Sequence, residues 1–394
     1  MITKSLRLTF NLLFTRVKQV DRLGSGLFVF NMDIDKRRNS VTVFIVEAVL
    51  VSFIVFFCIA CPHRVQQHID MSEHPIFIQP GEGPLTVYDD EELNKVGSEY
   101  YSKKDYAKAA ECFKKIVDNY PKSIHYKSAV YNLALSYEMI ERCDEALKYY
   151  NLYSQINDVK NDLDYKYRIG YVNICLKNFD EAERIFSELV NNTSLSEMDI
   201  IEAKTNLGVV KFNKRIFSEA SELFNQVMID YAKLSREKYI ENNYFVAESI
   251  FYLGEIDTEK MKEIVLEFPQ ERLEQLLEQK AKLLLSAQGY YLRVIKTGNI
   301  LWATAAGYRT GELYEVFYDH LINAPIPEEL TEEQKEIYKE ELKKKVSVLI
   351  TKAIRVYEAT IDVGKRTGMD SKWIEYAKVH MEKLKNLFIE EHLN

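Results

Sequence analysis

Four times along this chain a small residue is followed 12 positions later by a second one: Gly97 and Ala109, Ala134 and Ala146, Gly170 and Ala182, Gly208 and Ala220. A bulky aromatic residue stands one helical turn beyond each second member, at Phe113, Tyr150, Phe186 and Phe224. The units start 37, 36 and 38 residues apart, yet the internal spacing never drifts. A spacing that constant demands one helix, a short turn and a second helix each time. The small residues belong where the two helices cross closely, and the aromatic ring fills the space beside the crossing. Such hairpins cannot bury their apolar faces alone, so the chain is expected to stack them into an α-solenoid.

In its first unit, EELNKVGSEYYSKKDYAKAAECFKKIVDNYP, the chain resembles a tetratricopeptide repeat (TPR). In that 34-residue frame the hallmark positions fall on Leu93, Val96, Gly97, Tyr100, Ala109, Phe113 and Pro121, the last ending the second helix because proline lacks an amide donor. The resemblance implies an all-α, right-handed superhelical solenoid of antiparallel hairpins, about six in number, closed by a C-terminal capping helix. It covers Glu91 to about Lys296. A composition of 28% charged residues with only 8 Pro and 14 Gly suits long helices joined by few tight turns.

Beyond the fourth unit the pattern stretches. Gly254 reads as another first-helix position, with Ala287 and Tyr291 its partners 33 or more residues on, and Thr258 to Glu278 a charged helical insertion broken by Pro269. Ala306-Gly307 similarly pairs with Ala353 and Tyr357 across an insertion containing Pro325 and Pro327. Thr331 to Gln334 has capping-box spacing and is expected to start a helix. Residues 371–390 make a last amphipathic helix through Trp373, Ala377, Met381, Leu384 and Phe388, the expected solenoid cap.

The N-terminal part differs in kind. Residues 41–61 are the only long apolar run, preceded by Lys36, Arg37 and Arg38, which is the layout of an export signal. Its end, Ile59-Ala60-Cys61, resembles a bacterial lipobox, with Cys61 the lipidated residue; Cys58 stands where leucine is usual and Glu47 interrupts the run. The competing reading is an uncleaved signal anchor, and in both the chain after residue 61 is exported and tethered on the periplasmic side. Translation starting at Met32 would give a compact charged region by itself. Residues 62–88 then form a Pro-rich tether, whose His63, His68 and His74 have no spacing that would fix a metal geometry. The expected division is 1–61 signal or anchor, 62–88 tether, 89–296 repeats and 297–394 a helical extension.

Without its first 61 residues the chain carries a net charge of −12, which disfavours nucleic acid as a partner. No phosphate-cradling glycine loop, serine elbow or His-Glu-x-x-His helix is present, and no metal or cofactor is expected. Asp89 to Glu92 suit the positive end of a helix dipole and not acid–base work. The reading is a non-enzymatic protein-binding scaffold. In stacked hairpins the first helices line a concave groove, and the corresponding face here carries Asn94, Tyr101, Tyr131, Leu135, Glu138, Tyr167, Tyr171, Thr205, Phe212 and Phe251. Six of the ten are aromatic, a composition suited to an extended peptide or partner helix; the alternative is that the rings only pack against the next hairpin. Cys112, Cys143 and Cys175 are an odd set, leaving at least one thiol free. In the repeat frame Cys143 and Cys175 share one edge, so a disulfide between them is a candidate, while Cys112 is expected to pack.

The run KAKLLLSAQGYYLRVIKTGNILWATAAGYRTGELYEVFYDHLINAPIP resembles the tails of tetratricopeptide envelope proteins of gliding, delta-type bacteria. That resemblance implies a membrane-tethered subunit docking partners of an envelope assembly, in outer-membrane biogenesis, cell-wall coordination or gliding motility. A signal-anchored oligomer whose repeats bind each other is the alternative, and an enzyme acting on cell-wall material the more distant one.

Overall fold

The structure is a computed structural model that describes residues 89–393 apart from 158, 160, 161 and 241, with side chains as far as 386. The predicted signal, Cys61 and the tether with its three histidines lie outside the described residues, as does the side chain of Phe388 from the last predicted apolar stripe. Every regular element among these is helical, as the spacing required. In order they are α1 (Asp90–Ser102), α2 (Tyr106–Asn119), α3 (Tyr126–Met139), α4 (Cys143–Ile156), α5 (Leu163–Cys175), α6 (Phe179–Val190) and α7 (Glu197–Asn213). There follow α8 (Phe217–Glu237), α9 (Tyr244–Glu263), α10 (Gln270–Lys296), α11 (Ile300–Ile322), α12 (Glu332–Thr367) and α13 (Lys372–Leu393). The chain forms two compact units, one ending at Ile216 and the next beginning at Phe217. No described helix is long and apolar enough to cross a membrane.

In the first unit, α1 to α7, each helix packs on the next, giving an array of tetratricopeptide-type hairpins. Three residues join the two helices of each pair, and the turn is built the same way each time. Lys104, Glu141, Lys177 and Arg215 take φ of 59 to 63°, the left-handed region, although none is glycine. The next amide then reaches back to a carbonyl five residues earlier, as Asp105 N to Tyr100 O at 2.8 Å and Asn178 N to Asn173 O at 2.8 Å, closing a Schellman turn. This bond satisfies carbonyls that a helix end would otherwise leave orphaned.

The small residues sit where expected. A Cβ added at Gly170 would fall 2.4 Å from the Phe186 ring, and one at Gly97 would fall 3.0 Å from both Cys112 and Phe113. Ala109, Ala146 and Ala182 are fully buried with Phe113, Tyr150 and Phe186, and these rings with Leu93, Ile116, Leu133 and Leu189 are among the largest fully buried side chains. Burying each such side chain stabilises by about 1.5–3 kcal/mol. At the N-terminal edge Asp89 caps α1, accepting from Glu92 N at 2.9 Å, so the acidic run opens the helix.

The second unit contains α8 to α13, again packed in chain order, with α11 also touching α9 and α13. Gly254 does face Tyr291, the predicted long-range partner. The intervening segment is resolved differently from the expectation: Thr258 continues α9, the break spans residues 264–269, and α10 starts after Pro269. The next pairing needs correction by one turn. Tyr357 packs on Gly311, whereas Gly307 faces Thr360, because α11 holds glycines a helical turn apart and the tyrosine takes the second. Thr331 and Gln334 form the predicted capping box at the start of the 36-residue α12. Helix α13 covers the end of α11 and α12 with Ile374, Ala377 and Leu384 buried and Trp373 and Met381 partly so.

Candidate binding face and its polar staples

Of the ten predicted face residues none is fully exposed. Tyr131, Leu135, Tyr167, Thr205 and Phe251 are buried, while Asn94, Tyr101, Glu138, Tyr171 and Phe212 are partly open. Three tyrosines, the buried Tyr131 and Tyr167 and the partly open Tyr171, reach forward and bind the next hairpin through their hydroxyls. Tyr131 donates to Asp164, Tyr167 donates to the Asp199 carbonyl at 2.5 Å, and Tyr171 donates to Glu202. Asn206 in turn donates to the Tyr171 oxygen at 3.4 Å. Burial pushes the Glu202 carboxyl up to about 7 despite the Tyr171 hydroxyl beside it. Only the edge of this face, chiefly Tyr101, Tyr171 and Phe212, offers ring surface to another molecule; Tyr101 already lies edge-on to Tyr106 at 5.0 Å.

Glu138 proves to be the centre of a staple. The Tyr150 hydroxyl donates to its Oε2 at 2.7 Å, and Arg168 Nη1 from the next hairpin donates to its Oε1 at 3.1 Å. Arg168 Nε also lies 3.4 Å from Asp164. Burial works against the Arg168 charge, but Glu138, Tyr150, Asp164 and Tyr171 together outweigh it and keep the guanidinium firmly protonated. Burial, with Glu138 beside it, pushes the Tyr150 hydroxyl well up.

The same arrangement returns twice in the second unit. Tyr291 donates to Glu255 Oε1 at 2.5 Å and shares a 2.9 Å hydrogen bond with Thr258, and Arg309 from α11 donates to both Glu255 oxygens, its Nε at 2.8 Å. Tyr357 donates to Glu315, and His380 of α13 places Nδ1 2.9 Å from the same Glu315 oxygen. Sequence reasoning did not anticipate these networks, although a signal was present. Where the aromatic beside the crossing is Phe, at 113, 186 and 224, the first-helix residue four after the small one is Tyr101, Ile174 or Phe212. Where it is Tyr, at 150, 291 and 357, that residue is Glu138, Thr258 or Glu315, a partner for the hydroxyl. A buried hydroxyl without such a partner would cost about 1–3 kcal/mol.

The second unit's own rings form a continuous row. Trp302 lies 5.0 Å from Phe251 and 5.5 Å from Tyr244, and Trp373 lies 5.7 Å from Tyr308 and 6.0 Å from Tyr376. Tyr376 is 45% exposed.

Two further sites resolve here. Cys143 and Cys175 are joined in a disulfide, Cα–Cα 6.3 Å, tying the start of α4 to the end of α5. Cys112 is free and buried, and burial pushes its thiol up to about 11. No cluster of His, Cys, Asp or Glu able to hold a metal occurs among the described residues.

Residues 95–177 match a domain of unknown function, DUF6340. No curated protein matches the sequence. Among solved structures the chain is similar to the apo form of RapI, at 8% identity and TM-score 0.42, covering 77% of this chain and 100% of that one. It is also similar to a tetratricopeptide repeat protein from Parabacteroides merdae, at 11% identity and TM-score 0.35, over 75% of this chain and 98% of that one. The C-terminal part of a TPR repeat-containing protein from Cytophaga hutchinsonii aligns at 13% identity and TM-score 0.35, over 74% and 94%.

Proposed function

We propose that the protein is a non-catalytic docking scaffold, exported and tethered at a bacterial membrane through Cys61, that holds partner proteins of an envelope assembly. The observation that carries this reading is the half-open edge of the first-helix face, Tyr101, Tyr171 and Phe212, set on hairpins whose buried rings and staples hold it rigid. Rigid aromatic side chains give contact area at low entropic cost, as suits a peptide or helix laid along the hairpins. The Cys143–Cys175 disulfide supports export, because such bonds persist in oxidising compartments.

The test is a crosslinking capture from intact cells, comparing the native chain with Tyr101→Ser plus Phe212→Ser, and with mass spectrometry of the N-terminal peptide. Tyr131 and Tyr167 are left intact because their hydroxyls hold neighbouring hairpins together. Envelope subunits captured by the native chain and lost by the variant, with acyl chains on Cys61, is the expected result. Equal capture by both removes this face from the function, and an unprocessed N-terminus makes the tether a signal anchor.

A further inference from the structure

The three staples differ in one respect. Arg168 and Arg309 supply the cation in the first two, and a guanidinium keeps its charge at any ordinary pH. In the third the same place is taken by His380. This imidazole connects the terminal helix to both helices beneath it. Its Nδ1 is 2.9 Å from Glu315 Oε1 on α11, and that oxygen also accepts the Tyr357 hydroxyl of α12. Its Nε2 is 3.3 Å from the Tyr308 hydroxyl, which lies 3.1 Å from Glu312. The ring packs edge-on against Tyr308 at 5.4 Å and tilted against Tyr357 at 5.9 Å.

The groups facing it are therefore Glu315, Glu312, Tyr308 and Arg309 from α11, the last paired to Glu312, and Tyr357 from α12. Flanking them, Lys385 of α13 pairs with Glu358 of α12 at 2.9 Å, and Lys383 of α13 acts on Asp319 of α11. Among these side-chain types imidazole is the one that ordinarily changes charge between pH 5 and 8.

We propose that His380 is a proton-operated latch for the terminal helix, a device that goes beyond the docking role. As imidazolium it closes a charge-assisted bond to Glu315 and donates through Nε2 to Tyr308, holding α13 on α11 and α12. Losing the proton removes the charge from that bond and leaves the Glu315 carboxylate buried beside a neutral ring. Helix α13 then opens more often, uncovering Ile374, Ala377 and Leu384 and the ends of α11 and α12 that they cover.

The test is amide hydrogen exchange of the full-length chain between pH 5.5 and 8, corrected for the intrinsic pH dependence of exchange. Opening of residues 372–386 is read relative to α11, and NMR of the labelled imidazole follows its titration. The native chain is expected to show relative opening of α13 rising about fivefold, the difference between a charged and a neutral hydrogen bond. The rise should track the loss of the His380 proton. His380→Arg should hold the low-opening state across the range and His380→Gln the high-opening state. Relative opening that is flat with pH in the native chain overturns the latch, as does a rise out of step with the imidazole. Should either variant fail to fold, the coincidence of the two native titrations decides alone.

Discussion

Arg168 reaches back 30 residues to place its Nη1 3.1 Å from Glu138 Oε1, so one hairpin is held by a charge carried on the next. Both side chains are mostly withdrawn from water, at 9% and 15% exposure. A pair in that setting has two opposite sensitivities. Removing one partner strands the other, whereas exchanging the whole set for apolar groups does not.

Arg168→Met alone is expected to destabilise the protein by about 3–5 kcal/mol, because it takes the cation away from a mostly buried Glu138 and leaves it the Tyr150 hydroxyl. The triple change Arg168→Met, Glu138→Leu and Tyr150→Phe should recover most of that loss. Denaturant unfolding of the three proteins, native, single and triple, measures both, and a triple variant as unstable as the single one would show that packing and not charge dominates the site.

The hairpin turns predict a gain. Lys177 holds φ at 60° without being glycine. Lys177→Gly should therefore stabilise by about 0.5–1 kcal/mol, since glycine enters the left-handed region without the Cβ clash. Lys177→Val should do the reverse. Lys104, at φ 63°, offers an independent repeat of the experiment in another hairpin.

Acid and base should act on the second unit through Lys280. It is 1% exposed, and its Nζ bonds the Met261 carbonyl and His320 Nδ1, each at 2.8 Å. Burial lowers its ammonium to about 8, and burial, with Lys280 alongside, lowers His320 too. The unfolded chain thus binds the extra lysine proton between about pH 8 and 10.4, and stability should rise with pH there. As pH falls through the ordinary histidine range near 6.5, the depressed His320 should cost stability again. Lys280→Met is expected to raise the midpoint at pH 7 and to flatten the alkaline rise, read by thermal unfolding at a series of pH values.

The disulfide gives a prediction for gels and for stability together. Cys143 and Cys175 close a loop of 32 residues, so reduction or Cys175→Ser should cost about 2–4 kcal/mol in the first unit. Native protein should migrate faster without reductant than with it, and Cys112 should be alkylated only on unfolding.

Much of this was legible in the sequence because small residues at helix crossings leave no choice of partner. Gly97 packs against Phe113 with Cys112 beside it, and Gly170 packs against Phe186. The capping box at Thr331 was equally local. The face was harder. Tyr131 and Tyr167 both stand three residues before a small residue, Ala134 and Gly170, and a ring at that position reads the same in sequence whether it lies along a groove or, as here, bonds the next hairpin. The partner of Tyr357 was misplaced by a turn because Gly307 and Gly311 are equally small and a long insertion intervenes. Glu255 was missed for another reason: it stands one residue after Gly254, where no staple position repeats.

The left-over variety in the staples has an evolutionary and kinetic reading. Hairpins built on one template are interchangeable by shape, and a newly made array can stack them out of order or trade them with a neighbouring molecule. Glu138 accepts Arg168, Glu255 accepts Arg309 and Glu315 accepts His380, while the Phe-bearing hairpins present no carboxylate at that position. A hairpin seated beside the wrong neighbour would bury a carboxylate without a cation, an error far dearer than a loose fit. The three stapled junctions thereby carry a mark that the Phe-bearing ones lack, and part of the order of the array is written in charges that the common template leaves out.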